Sequence, residues 1–144
     1  MDRGIVHRVD VQADAPTLFR ALTTTDGLKG FWTPGSQVEP EVGTVAVFNF
    51  AGSPVELKLR IDRLDEGKRV AWTCLGDFPY WQGTTMTWEL DDAPEGGTRV
   101  LFRHTGWPDD YPDGEFGSVN FAWGLVVGAL KAYAETGEPK PALP

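Results

Sequence analysis

Alternating apolar and polar residues run through most of the chain and predict β-strands. The clearest case is Val55 to Leu64, where Val55, Leu57, Leu59 and Ile61 alternate with charged residues. Successive side chains of a strand point to opposite faces, so this pattern predicts one buried and one solvated face. Similar alternation marks five further segments, at residues 5–11, 44–50, 69–75, 84–91 and 98–104. Short turns between the later segments indicate an antiparallel meander whose apolar face must be covered by another layer.

Two short helices are predicted between the first and second of these strands. Asp14 occupies the position of an N-cap, Pro16 falls in the first turn, and the helix is expected to end near Thr24. Asp26 is the expected cap of the second helix, which Pro34-Gly35 should stop. Both helices carry their apolar residues on one side.

The layer that covers the sheet is predicted to be a long helix from about Ser118 to Thr136. Its apolar residues recur at helical spacing as Val119, Trp123, Val126, Leu130 and Tyr133, a stripe that Phe121, Leu125 and Val127 widen. Gly137 is the expected C-cap. With 144 residues, we expect one domain over residues 1–138 and a flexible tail over 139–144.

Composition narrows the functional classes. The chain has 13 basic and 21 acidic residues, a net charge of −8, and no basic cluster, so nucleic acid and anionic membranes are not expected partners. Cys74 is the single cysteine, which excludes an internal disulfide, and no Cys/His cluster has metal-site spacing. Neither a metal nor a cofactor is expected. The sequence shows no secretory or membrane segment, which favours a cytoplasmic location.

Several local motifs are similar to one family of proteins. They are, in chain order, Ala15-Pro16-Thr17-Leu18-Phe19-Arg20-Ala21-Leu22-Thr23, Leu28-Lys29-Gly30-Phe31-Trp32-Thr33, Gly96-Gly97-Thr98-Arg99-Val100, His104-Thr105-Gly106-Trp107, and Trp123-Gly124 followed by Leu130-Lys131-Ala132-Tyr133. Their order and spacing resemble the START-like (SRPBCC, Bet v 1-like) superfamily, within it the AHSA1-like branch named after the activator of the Hsp90 ATPase. The resemblance runs nearly end to end. It implies an α+β helix-grip fold, in which a curved antiparallel sheet, two short helices and a long C-terminal helix enclose a cavity.

The same resemblance implies where a site would lie, and the strand alternation proposes its lining. Aromatic residues make up 12% of the chain, and such rings often line ligand pockets. The expected ligand-binding residues are Phe48, Trp72, Met86, Trp88, Phe102, His104, Phe121 and Trp123. The alternative is that these rings pack solidly and leave no cavity.

Chemically reactive residues are few. His104 and His7 are the only histidines, and each falls on the apolar face of its strand, where a histidine is either hydrogen-bonded within the core or used as an acid–base group. Cys74 is expected to be buried and inert. The aromatic segment from Gly76 to Gly83 fits either a pocket rim or a dimer contact.

Three functions follow from these observations and the resemblance. The first is binding of a small apolar or aromatic molecule, which the absence of a catalytic constellation favours. The second is a cyclase or dehydratase acting on a polyketide-like or aromatic substrate, with His104 as acid–base group. The third is a stress-related, co-chaperone-like interaction. A homodimer is also compatible with the sequence.

Overall fold

Seven antiparallel strands form a single curved sheet in a computed structural model that describes residues 3–76 and 78–144. Met1, Asp2 and Asp77 lie outside the described residues. The strands are β1 (Ile5–Val11), β2 (Gly35–Gln37), β3 (Val45–Asn49), β4 (Leu57–Asp65), β5 (Arg69–Leu75), β6 (Thr85–Asp92) and β7 (Thr98–Thr105). Their order across the sheet is β1-β7-β6-β5-β4-β3-β2. The predicted meander is therefore confirmed, while β2 is too short to have been recognised from its pattern.

Two short helices, α1 (Ala15–Thr23) and α2 (Thr25–Phe31), connect β1 to β2. Asp14 caps α1 as predicted, because its side chain accepts a hydrogen bond from Thr17 N at 2.9 Å. The predicted cap of α2 is wrong. Thr24, not Asp26, is the residue with extended backbone and a side chain that accepts from Gly27 N. Asp26 lies in the first turn, where its negative charge interacts favourably with the positive end of the helix dipole.

The long helix α3 (Asp113–Thr136) begins five residues earlier than its apolar stripe predicted and crosses the concave face of the sheet. Its buried residues are Trp123, Val126, Val127 and Leu130, which confirms the predicted contact with the sheet. Gly137 is the C-cap, in the left-handed backbone conformation that glycine adopts without strain. No helix in the described ranges is long and apolar enough to cross a membrane.

The outer edge of β1 is covered by side chains of α3. Lys131 Nζ donates to the carbonyl oxygen of Asp10 at 2.8 Å, and the backbone N–H of Gln12 donates to Glu135 Oε2 at 2.8 Å. An uncovered strand edge presents unpaired backbone groups to other chains. These two bonds occupy part of that edge from within the same molecule.

The C-terminal residues, predicted to be a flexible tail, lie against the end of α2 in the structure. The backbone N–H groups of Lys140, Ala142 and Leu143 donate to carbonyls of residues 30–32, at 2.8 to 2.9 Å. Pro144 O accepts from Ala51 N at 3.1 Å. Backbone bonding of this kind cannot be read from a proline-rich composition, because the partners are supplied by a distant helix end.

Candidate functional site

An apolar cavity of about 220 Å³ lies between α3, the end of α2 and the loops at one end of the sheet. It is lined by Trp32, Phe50, Phe78, Trp81, Ser118, Val119, Ala122, Trp123, Val126 and Leu143. The rings come from four separate parts of the chain, and the tail contributes Leu143. Ser118 is the single polar residue among the described residues of this lining.

Most of the predicted site residues lie behind this cavity and do not line it. Phe48, Trp72, Met86, Trp88, Phe102 and His104 are all buried in the core. The rings touch one another closely: the Phe102 and Trp123 centroids are 4.3 Å apart, and those of Trp88 and Phe102 are 4.5 Å apart. The buried rings thus fill the concave face around Trp88 and Phe102, and the cavity lies to one side of them. Trp123 alone of the predicted set reaches the cavity wall.

The inward position expected for Phe121 needs correction. Its side chain is 71% exposed, on the side of α3 opposite the sheet. Two residues along a helix turn a side chain by about 200°, so Phe121 and Trp123 point in nearly opposite directions. Trp123 is the residue that packs into the core.

Nine of the ten cavity residues were absent from the predicted set, and four of them show why. Phe78 and Trp81 belong to the aromatic segment between β5 and β6, which the sequence had marked as a pocket rim or a dimer contact. Phe50 follows β3 and continues the face of Phe48. Leu143 carried no signal, because its position depends on the tail's hydrogen bonds to α2.

A chain of hydrogen bonds runs from the cavity wall through His104. Trp123 Nε1–H donates to His104 Nδ1 at 3.0 Å, so the ring proton must be on Nε2. His104 Nε2–H then donates to Thr84 Oγ1 at 2.8 Å, and Thr84 Oγ1–H donates to Trp81 O at 2.7 Å. The chain therefore fixes one neutral tautomer and joins two residues of the cavity wall, Trp123 and Trp81.

Burial lowers the pKa of His104 to about 3, because the charged imidazolium would be deprived of water. The ring is neutral at physiological pH, and both of its nitrogens are used inside the protein. It is also absent from the cavity lining. His104 is thus suited to hold Trp123 and Trp81 in place, and neither of its nitrogens is free to exchange a proton with a bound molecule.

The other two chemically interesting side chains lie away from the cavity. His7 Nε2 donates to Asn120 on α3, with its side-chain oxygen at 3.0 Å and its carbonyl at 3.2 Å. Cys74 is buried as expected, and burial raises the pKa of its thiol to about 12, so the thiol stays protonated. Within residues 3–76 and 78–144, no group of three or more His, Cys, Asp or Glu side chains is arranged to hold a metal ion.

Comparison with solved structures shows the same fold elsewhere. The chain is similar to the Aha1 dimer from Colwellia psychrerythraea, solved in solution, with 29% identity, a TM-score of 0.82, and coverage of 94% of this chain and 98% of that one. It is similar in fold to a protein from Staphylococcus saprophyticus, with 20% identity, a TM-score of 0.78 and 98% of both chains covered. A putative protein of the dynemicin biosynthetic locus has 21% identity and a TM-score of 0.78, over all of this chain and 51% of that one.

Comparison of the sequence with family models points to the same kind of protein. No curated protein matches the chain. One family model, described as "Activator of Hsp90 ATPase homolog 1-like protein", matches residues 12–135, which span α1 to the last turn of α3. The match covers most of the chain and agrees with the structural neighbours. The protein therefore belongs to the AHSA1-like family and has its helix-grip fold.

Proposed function

We propose that the protein binds a small, uncharged aromatic molecule in the cavity bounded by Trp81 and Trp123. The observation that carries this proposal is the lining itself, in which nine of ten residues are apolar. A cavity of about 150 Å³ is enough to hold benzene. The volume of about 220 Å³ found here suits a bicyclic ring system.

The charge of a ligand follows from what surrounds the cavity. Among residues 3–76 and 78–144, no Lys, Arg or His lines it, and the chain carries a net charge of −8. A carboxylate would lose its hydration on entry without gaining a cation, which is costly in an apolar site. The cavity therefore favours neutral molecules, and the Ser118 hydroxyl supplies one hydrogen-bonding group for orientation.

Binding is favoured over catalysis by the same lining. Acid–base catalysis needs a titratable group within hydrogen-bond reach of the substrate, and none of the described lining residues is titratable in the physiological range. His104, the group considered for this role, has both nitrogens engaged by Trp123 and Thr84. A carrier or sensor of an aromatic molecule needs only the cavity.

Calorimetric titration with 2-naphthol and with 2-naphthoate tests the proposal, because the first is neutral and the second anionic at pH 7. We expect 2-naphthol to bind at least tenfold more tightly. Ala122→Leu places a larger side chain on the cavity wall and should weaken 2-naphthol binding at least tenfold. Ala132→Leu makes the same change at an exposed position of α3 and should leave binding unchanged. Equal binding of both naphthalenes, or full binding by Ala122→Leu, would contradict the proposal.

A second proposed property is self-association. It is supported by the relative from C. psychrerythraea, which is a dimer in solution and matches this chain over 94% of its length. Sedimentation velocity over a range of concentrations tests it directly. A mass that stays at one chain at every concentration would contradict self-association and would leave the ligand proposal untouched.

A further inference from the structure

The side of α3 that faces away from the sheet carries two large exposed apolar residues. Phe121 is 71% exposed and Leu125 is 49% exposed, and they lie one turn apart. Gly117 and Gly128 lie on the same side, one turn before and one turn after this pair. We call these four residues the outer face of α3.

Charge is missing from the whole middle of this helix. Residues 116–130 contain no Asp, Glu, Lys or Arg, although α3 lies on the surface of the molecule. A surface helix ordinarily has an apolar stripe towards the core and a charged or polar side towards water. Apart from Ser118 and Asn120, the side chains of this stretch are apolar or absent, a composition typical of a helix covered on two sides. The outer side is nevertheless exposed at Phe121 and Leu125.

Nothing in the described part of the chain requires glycine at these two positions of the outer face. A Cβ added at Gly117 or Gly128 would meet no atom of the described residues within 4 Å, and neither residue has positive φ. Glycine is also among the least favourable residues in a helix interior. Because glycine has no side chain, the helix backbone is accessible at Gly117 and Gly128, before and after the Phe121–Leu125 pair, and another helix can approach closely there.

We propose that the outer face of α3 is the surface on which a second copy of this chain docks, with two α3 helices packed antiparallel across a twofold axis. This inference rests on the self-association proposed above and names its surface. The order Gly117, Phe121, Leu125, Gly128 is small, large, large, small in both directions along the helix. A twofold contact requires one patch to be complementary to itself, and this order allows each large side chain to pack against a small or apolar residue of the other copy.

Charge favours this surface over the rest of the molecule as the place of contact. Each chain carries −8, so two copies repel one another, and the repulsion is smallest where they meet through an uncharged strip. The outer face of α3 is such a strip. The edge of β1 is a poorer site for strand addition, because Lys131 and Glu135 already bond to Asp10 O and Gln12 N.

The size of the face predicts a weak dimer. Gly117 to Gly128 spans about 17 Å of helix, at about 1.5 Å per residue. A helix about 10 Å wide and of this length presents much less than the roughly 800 Å² per partner of a standard stable interface. We therefore expect the mass to rise with concentration over the micromolar range and above.

Sedimentation velocity of the full chain and three variants tests the surface. Phe121→Glu should raise the dimer dissociation constant at least tenfold. Val6→Glu is the matched control, because Val6 is an exposed apolar residue on β1, 49% exposed, and its change should leave the constant within twofold. Gly128→Leu should also weaken the dimer while raising the melting temperature of the monomer, since it improves helix propensity. Opposite effects on dimer and monomer exclude misfolding as the cause.

The outcomes separate the surface from self-association itself. A wild-type chain that is monomeric at all concentrations refutes both. A dimer that persists in Phe121→Glu, or that dissociates in Val6→Glu, refutes the surface and leaves self-association standing. Flotation of a monomeric wild type with neutral phosphatidylcholine vesicles, lost in Phe121→Glu, would identify the face as a membrane contact and overturn the proposal.

Discussion

Replacing Thr84 by valine tests the hydrogen-bond chain behind the cavity. Thr84 is fully buried, and its hydroxyl both accepts from His104 Nε2–H at 2.8 Å and donates to Trp81 O at 2.7 Å. Valine has nearly the same shape, so the change removes two hydrogen bonds while leaving little empty space. The effect on stability therefore reports the polar groups.

The expected cost follows from which groups lose their partner. Trp81 O keeps its second bond, from Thr84 N at 3.0 Å. His104 Nε2–H has no other acceptor among the described residues, and moving the proton to Nδ1 would set it against the N–H of Trp123. A buried donor without a partner costs about 1–3 kcal/mol. We expect Thr84→Val to lower the free energy of unfolding by that amount.

Urea unfolding at pH 7 measures this change, with Thr85→Val as the matched control. Thr85 is the next residue, and it is exposed. Its hydroxyl pairs with the Thr105 hydroxyl across the sheet at 3.2 Å. Its replacement should cost less than about 0.5 kcal/mol, as for most surface changes. If Thr84→Val destabilises the protein no more than Thr85→Val, the hydroxyl does not satisfy His104 and the assigned tautomer is wrong.

Three further predictions concern stability and binding. The pKa of His104 falls from an ordinary 6.5 to about 3 on folding, so between these pH values only the unfolded chain binds this proton. The contribution of the neutral ring to the free energy of unfolding is therefore complete above pH 6.5 and decreases as the pH drops towards 3. In urea unfolding, the free energy of unfolding of the wild type should fall by up to about 2 kcal/mol from pH 7 to pH 5, a decrease that His104→Gln should lack. Equal decreases in the two proteins would contradict this assignment. Trp123→Ala should cost about 3–5 kcal/mol in the same assay, because the ring is 2% exposed among other rings, and a cost under about 1 kcal/mol would be inconsistent with this packing. At neutral pH the protein should pass through a DNA column without salt-sensitive retention, given its acidic balance.

Strand faces could be predicted from the sequence because alternation is a local property. In β7, Val100, Phe102 and His104 share the inward face as expected, and each is buried. Their partners across the sheet, such as Met86 opposite His104, follow once the turns fix the register. The helix-grip fold was predictable for the same reason, together with the family motifs.

The inward side of α3 was harder to predict, because periodicity needs a polar side to define a phase. Residues 116–130 are uncharged throughout, so Phe121 and Trp123 looked equally suited to the core. The structure buries Trp123 and exposes Phe121. A helix that is covered on two sides would lack a polar side, so its sequence would not show which side faces the core.

The position of the cavity could not be derived from strand patterns at all. Its walls include Phe78 and Trp81 from a loop and Leu143 from the tail, and these segments have no periodicity. Whether inward-facing rings meet or leave a gap depends on distances of a few ångströms between elements remote in sequence. The polar chain through His104 likewise required Thr84 and Trp123 to be placed in three dimensions.

The placement of β1 also has a consequence for how the chain is made. β1 is synthesised before the rest of the sheet, yet it pairs only with β7, as in the contact of Val9 with Val100. At about 5–20 residues per second, a ribosome needs several seconds or more to make the residues between them. The side chains that cover the edge of β1 come later still, from the end of α3. A nascent chain therefore carries an unpaired first strand and an uncovered aromatic sheet face through most of its synthesis, and it completes its fold only after α3 has left the ribosome.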